Sequence, residues 1–208
     1  MECQSCLTDP SIQLVADASV IINLNATGFS EEILEAIPNK LLAVTEVSTE
    51  LDNGRCNGRS DADSLAELIS AGKFELTKFG PEGSKFFENL TIGDARQTLD
   101  DGEAATIAYC LEHGTTALID ERKANRICSK QFPTLTIGST VDLLAHHDVI
   151  KALGKAQLST AIFNALYHGR MRVLPHHIDW VIDTIGPDKA AQCNSLPKPT
   201  KKILGSLL

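Results

Sequence analysis

Aromatic residues are scarce. One Trp, two Tyr and seven Phe make up 5% of the 208 residues. That scarcity speaks against an RNA-binding sheet built on stacked aromatic rings. An excess of positive charge is also missing. Lys plus Arg number 19 against 27 for Asp plus Glu, a formal charge of −8. This balance argues against tight nucleic-acid binding through the whole surface, while a local basic patch stays compatible with it. No uncharged apolar run reaches the length of a membrane span. The opening "MECQSC" lacks the basic region and apolar stretch of a secretory signal. The expected address is therefore cytoplasmic, without a membrane partner. A second C-x-x-C is absent too. Cys3 and Cys6 have zinc-knuckle spacing without a companion pair, so they are either a zinc site or part of a frayed N-terminus. Cys56, Cys110, Cys128 and Cys193 read as free thiols, with Cys110 and Cys128 as small core residues in apolar helical patterns.

What is present suffices for a core: 43% of the chain is hydrophobic, well above a disordered composition. "SIQLVAD" (11–17) reads as a buried strand with β-branched residues. Ser19 is placed to cap a helix that Gly28 ends. A helix over "SEEILEAI", a strand "LLAVT" and a helical turn or two in "EVSTEL" follow. "DNGRCNGRSDADS" (52–64) reads as a mobile loop rich in Gly, Asn and Arg. A short helix, a short strand "KFELTKF" and the helical "GSKFFENL" lead to "LDDGEAATIAYCLEHG". There Ala104, Ile107, Ala108 and Leu111 recur at helical spacing between a cap at Asp101 and a stop at Gly114. "TTALID" is a strand, "ERKANRICSKQF" a helix and "TLTIG" a strand. From Ser139 the pattern is helical.

Strand–helix alternation through residue 138 implies a parallel sheet covered on both faces. The expected organisation is a flexible N-terminus (1–10), an α/β domain (11–138), C-terminal helices packed on it (139–186) and a loosely held tail (187–208).

One oddity stands in "LVADASVIINL": Asp17 sits inside an apolar run. In an open parallel sheet, functional residues gather outside the carboxyl ends of the strands. Asp17 ends the first strand and Asp120 ends "TTALID", so both point to one edge. Glu103 lies in the first turn of its helix, whose N-terminus faces the same edge. Glu46 and Glu50, four residues apart, share a helical face behind "LLAVT", and either can reach the group. Carboxylates converging without a cation repel, and some stay protonated. A hard divalent ion, Mg²⁺ or Mn²⁺, resolves the repulsion and completes its shell with water and substrate phosphates. Such an ion activates water and stabilises an in-line displacement at phosphorus.

The segments "VADASVIINL", "EVSTEL", "LDDGEAATIAYCLEHG", "LIDERKANRIC" and "TIGSTVDLL" resemble a PIN-domain protein. The resemblance runs over about residues 11–185 and is to a prokaryotic VapC-related branch with LDxGEA and DERKAR blocks. It implies a PIN-like three-layer α/β/α sandwich with a central, mostly parallel sheet and a helical C-terminal extension. It also implies a metal-dependent ribonuclease whose acids fall on Asp17, Glu50, Glu103 and Asp120, with Asp17, Glu103 and Asp120 holding the Mg²⁺ or Mn²⁺. Ser19 sits where the family has a small hydroxyl residue. Ser139 follows the last strand, where the family often has Ser or Thr in reach of metal or phosphate. RNA as substrate, a possible antitoxin protein and a homodimer are further implications. The 52–64 segment and "MECQSC" depart from the pattern.

Plainer readings stand beside these. Asp17 can cap the helix that follows it. Glu103 suits the dipole of a helix N-terminus, and Glu50 can be a solvated acid. Glu121, Asp100 and Asp101 read as caps and surface charge. Arg122, Arg126 and Lys130, with Lys123 beside them, form a stripe that either holds RNA phosphates or is a solvated face. Adjacent His146–His147 and His176–His177 diverge by about 100° on a helix and do not chelate together. The alternative functional reading is a catalytically silent PIN fold that binds RNA or a partner protein. A phosphohydrolase of the haloacid dehalogenase type needs a second acid two residues after Asp17, where this chain has Ser19.

Overall fold

The structure, a computed structural model, describes residues 5–197. Cys3 and residues 198–208 of the tail lie outside it. The chain begins with β1 (Leu14–Ala16), α1 (Ala18–Thr27), α2 (Ser30–Ala36), β2 (Leu41–Val44), α3 (Thr45–Gly54) and α4 (Asp61–Ser70). It continues through β3 (Phe74–Thr77), α5 (Pro81–Thr91), α6 (Asp101–His113), β4 (Thr116–Leu118), α7 (Arg122–Gln131) and β5 (Ile137–Gly138). The C-terminal part is α8 (Thr140–Leu144), α9 (His147–Tyr167), α10 (Ile178–Ile185) and α11 (Pro187–Ala190).

The strands form one parallel sheet in the order β3-β2-β1-β4-β5. The strands of the sheet's centre are wholly buried, as expected where helices cover both faces. Right-handed crossovers put the β1–β2 and β2–β3 connections on one face and the long β3–β4 return on the other. On that return side α6 packs directly against β1, β2 and β4, with α5 against α6. On the other side α1 and α2 pack against α9, and α10 against α9. The chain winds first toward β3, then reverses past β1 to β4 and β5. The reversal lies between β1 and β4, where Ala16 pairs with Leu118. In doubly wound sheets that crevice is the place for a ligand.

Several sequence expectations change in detail. The strands are shorter than their apolar runs: β1 occupies three residues and β5 two. The segment 52–64, expected as a mobile loop, is mostly helical. α3 runs on to Gly54, a 3-10 turn covers Arg55–Asn57, and α4 begins at Asp61. Arg55 pairs with Asp52 and Asp63, and Arg59 with Asp61, local pairings that hold the turn. Asp17, not Ser19, caps α1, because its extended backbone (φ −74°, ψ 162°) lets its carboxylate accept from Ser19 N–H. Asp100 rather than Asp101 caps α6 and accepts from Glu103 N–H.

Residues 5–10, expected to be frayed, are tied down. Leu7 is buried in the core, and Cys6 N–H donates to Asp142 Oδ1 at 3.3 Å. Cys56, Cys110, Cys128 and Cys193 are free thiols. α9 is two helical stretches that meet at a kink at Gly154 (φ 64°, ψ 172°), a backbone conformation that glycine alone adopts without strain. No helix among the described residues is long and apolar enough to cross a membrane.

Candidate functional site

Asp17 and Asp120 flank the crevice between β1 and β4 from the ends of those strands. Because both follow parallel strands by one or two residues, both emerge at the carboxyl edge. Asp17 N–H bonds across the crevice to Leu118 O at 3.1 Å. Glu103 arrives from the first turn of α6, since the β3–β4 return delivers that helix N-terminus to the same edge. Glu50 arrives from the second turn of α3. Together with Asp100, these four line one cavity of about 270 Å³. Ser19 lines it as well, and Arg59, Arg170 and Arg172 stand on its walls.

Gly102 shapes the meeting point. A Cβ on Gly102 would lie 2.4 Å from Glu50 Oε2 and 3.3 Å from Asp17 Oδ1. Two carboxylate oxygens from distant parts of the chain thus point into the space that the missing side chain leaves. The other Asp17 oxygen, Oδ2, accepts from Ser19 Oγ at 2.8 Å and Ser19 N at 3.2 Å. The helix cap therefore orients the residue and leaves Oδ1 facing the cavity. One oxygen of Asp17 thus serves the cap, and the other is left toward the cavity.

The electrostatics follow from burial and crowding. Burial, with Asp100 as neighbour, pushes Asp17 up to about 6. Burial followed by repulsion from Asp17 and Asp100 pushes Glu50 up to about 7. Burial, Asp100 and Asp17 push Glu103 up to about 8. Asp120 is also raised, by burial, against three hydrogen bonds that favour its charge. Those bonds come from Thr140 N (2.8 Å) to Oδ1, and from Thr140 Oγ1 (2.5 Å) and Asn23 Nδ2 (2.7 Å) to Oδ2. Among the described residues no three His, Cys, Asp or Glu side chains form a ready coordinating group. The donor chemistry nevertheless suits a hard cation: an all-oxygen set, with an unfilled space where two of the oxygens converge.

The remaining expectations sort as follows. Glu46 lines only a neighbouring shallow cleft, whereas Glu50 lines both that cleft and the acid cavity. Ser139 is turned away. Its Oγ donates to Asp142 Oδ2 at 2.6 Å in a capping box that starts α8, and the neighbouring Thr140 is the residue that reaches Asp120. The basic stripe of α7 is tied to backbone carbonyls: Arg122 to Val173 O, Lys123 to Ala95 O and Arg126 to Arg96 O. None of those three lines the acid cavity. The cationic walls are Arg59, Arg170 and Arg172 instead. Asp100 and Asn23 were also not singled out for the site. Asp100 carried a signal, because an N-cap before a buried first-turn acid necessarily shares its surroundings. Asn23 carried none, since it reads as a polar residue in an apolar helix. His177 is buried, with Nε2 3.1 Å from Asp142 Oδ2, and belongs to the packing of α8 rather than to the cavity.

A sequence model described as PIN domain matches residues 13–186. The crystal structure of VapBC2 from Rickettsia felis bound to a DNA fragment from their promoter is similar at 14% identity. The TM-score is 0.46, over 62% of this chain and 98% of that one. No curated protein matches the sequence.

Proposed function

Because this chain belongs to the PIN-domain family, whose members are generally nucleases, we propose that it is a metal-dependent endoribonuclease. Asp17, Glu103 and Asp120 would hold a Mg²⁺ or Mn²⁺, with Glu50 beside them. The ion, when bound, would supply an activated water and neutralise charge gathering at phosphorus.

The chain's own residues then have separable tasks. Ser19 holds Asp17 through its Oδ2, leaving Oδ1 toward the substrate side. Asn23 and Thr140 orient Asp120 through three hydrogen bonds, the kind of outer support on which ligand geometry depends. Glu50, held up to about 7 by burial and by its acidic neighbours, is suited to accept a proton at Oε2 near neutral pH. Arg170 and Arg172 on the cavity wall offer donors to the phosphate oxygens of a bound strand.

The observation that supports this reading is the convergence of Asp17 Oδ1 and Glu50 Oε2 beside Gly102, next to a cavity in which burial raises Asp17, Glu50, Glu103 and Asp120. The test is incubation of the protein with end-labelled RNA, with and without EDTA. Cleavage is expected with Mn²⁺ or Mg²⁺, its loss with chelator, and its loss in Asp17→Asn. Cleavage that survives both the chelator and the substitution overturns the mechanism.

The same reading makes the chain a cytoplasmic homodimer and the toxin of a toxin–antitoxin pair. A gene for a small DNA-binding protein immediately upstream, and a doubled mass in light scattering, are the observations expected. A monomer with no such neighbour overturns this part and leaves the nuclease reading intact.

A further inference from the structure

Arg170 and Arg172 line two cavities at once: the acid cavity and a larger one of about 820 Å³. The larger cavity is lined by three arginines, Arg122, Arg170 and Arg172, and by no acid. In a chain of net charge −8, such a concentration of cations beside a carboxylate cluster is a local reversal of field. Tyr167, 53% exposed, stands on its wall. Its ring stacks on Phe163 (centroids 5.5 Å apart, planes at 24°) and is flanked edge-on by His168. The result is an aromatic shelf backed by α9 and open to a planar ligand.

The junction is built with strain. Arg170 is the single non-glycine residue with positive φ (57°) among the described residues, an uncommon conformation for a bulky side chain. Its neighbours leave it no alternative. Gly169 is pressed so close that a Cβ there would lie 2.7 Å from both Ala165 O and Asn23 Oδ1. Met171 N–H donates to Ala165 O at 2.9 Å. Arg172 is ion-paired to Glu121, and Val173 O accepts from Arg122 at 3.0 Å. Strain that its surroundings over-determine gathers at functional sites. Here it aims a guanidinium at the threshold between the two cavities.

Resting on the nuclease reading above, we infer that the larger cavity holds the single strand of RNA next to the scissile phosphate. Arg170 and Arg172 take the phosphate nearest the acid cavity. Tyr167 stacks an unpaired base. A single strand fits better than a duplex because its bases can be splayed onto the shelf. A duplex would lay dense negative charge over a broadly acidic surface.

The test is fluorescence anisotropy of a labelled single-stranded oligoribonucleotide of about ten residues, within single-strand site sizes. The full chain is used in the Asp17→Asn background with EDTA, so that turnover does not enter. Arg170→Gly is expected to bind about tenfold more weakly and to lower the slope of log K against log salt by about one. Its melting temperature should be unchanged or higher, because glycine accepts the positive φ freely. Tyr167→Ala should lose about 5- to 100-fold in affinity, the range of one base–aromatic stack, while Tyr167→Phe binds as the parent does. Wild-type affinity in both Arg170→Gly and Tyr167→Ala overturns the inference, even where RNA cleavage is intact. So does equal binding of duplex RNA through the same residues, or equal competition by an acidic peptide of matching charge. Absence of cleavage together with variant-sensitive binding overturns the nuclease reading and leaves this one standing.

Discussion

Asn23 donates from Nδ2 to Asp120 Oδ2 at 2.7 Å, joining residues 97 apart in the chain. The bond ties the second turn of α1 to the end of β4 across the crevice where the winding of the sheet reverses. It satisfies a carboxylate that is almost fully buried, and with Thr140 it determines which way the carboxylate faces. Asn23→Ala should therefore cost about 1–3 kcal/mol of stability, the penalty for a buried group left short of a partner. It should also lower metal affinity by about 10- to 100-fold, as loss of an outer-shell partner does. Calorimetric titration with Mn²⁺ measures the second effect, and an unchanged affinity would count against any role for Asp120 in holding metal.

Gly102→Ala separates fold from chemistry. The added methyl would meet the far end of a flexible side chain, Glu50 Oε2 at 2.4 Å, so Glu50 can swing aside. Gly102 is the second residue of α6, where alanine in place of glycine should stabilise by at most about 0.5–1 kcal/mol, the mid-helix value. The melting temperature is expected to hold or rise while RNA cleavage falls by about tenfold or more, one displaced carboxylate being worth at least one such factor. A variant that is both fully active and equally stable would show that this space is not used.

Ser139 and Thr140 are adjacent and should behave differently. Ser139→Ala removes a helix cap and its capping box, at a cost of about 1 kcal/mol, and acts on stability. Thr140→Val removes the hydroxyl that donates to Asp120 at 2.5 Å. It should cost about 1.5–3 kcal/mol, the range for a bond to a charged group, and should depress cleavage as well. Denaturation curves and cleavage rates for the pair decide the matter. The reverse pattern would place Ser139 at the site.

Two opposite pH dependences are built into the fold. Burial and crowding hold Asp17 up to about 6 and Glu103 up to about 8, above the ordinary 3.8 and 4.5. Their penalty is absent below those ordinary values, where folded and unfolded chains are both protonated. It grows as pH rises from about 4, and is complete above about 6 for Asp17 and above about 8 for Glu103. Metal-free protein should therefore melt at progressively lower temperature across that window, and Asp17→Asn should flatten part of the decline. Asp142 behaves conversely. Burial works to raise it, but hydrogen bonds from His177 and Ser139 outweigh this and hold it down to about 2 from 3.8. The stability it contributes is present above about 4 and lost as pH falls toward about 2. Melting temperatures in EDTA from acid to mildly alkaline pH should trace both limbs. A profile flat through neutrality would contradict the crowding of the acids.

Much of this architecture was legible in the chain because it depends on local periodicity. Short apolar runs alternating with helical patterns impose a parallel sheet with covered faces. In such a sheet a residue just after a strand must emerge at the carboxyl edge, so Asp17 and Asp120 were bound to share it. Glu103, one turn into a helix that returns to that edge, follows from the same geometry. The acid group was thus visible before any contact was known.

What no local pattern contained were the long-range choices. Spacing put Glu46 and Glu50 on one face of α3. The rotation at which α3 docks on α6 brought Glu50 to the cavity and left Glu46 beside it. The stripe of α7 suggested a phosphate track, yet its arginines are tied to loop carbonyls. The cations at the cavity come from Arg59 before α4 and from residues 170 and 172, in segments without periodicity. The turn at 52–64 read as loose because glycine and asparagine favour turns, and nearby ion pairs fold it. The physical reason is common to all three. Sequence pattern determines which side chains share a face of one element. Which faces meet, and which backbone conformations are forced where they meet, is settled only when the core closes around all of them at once.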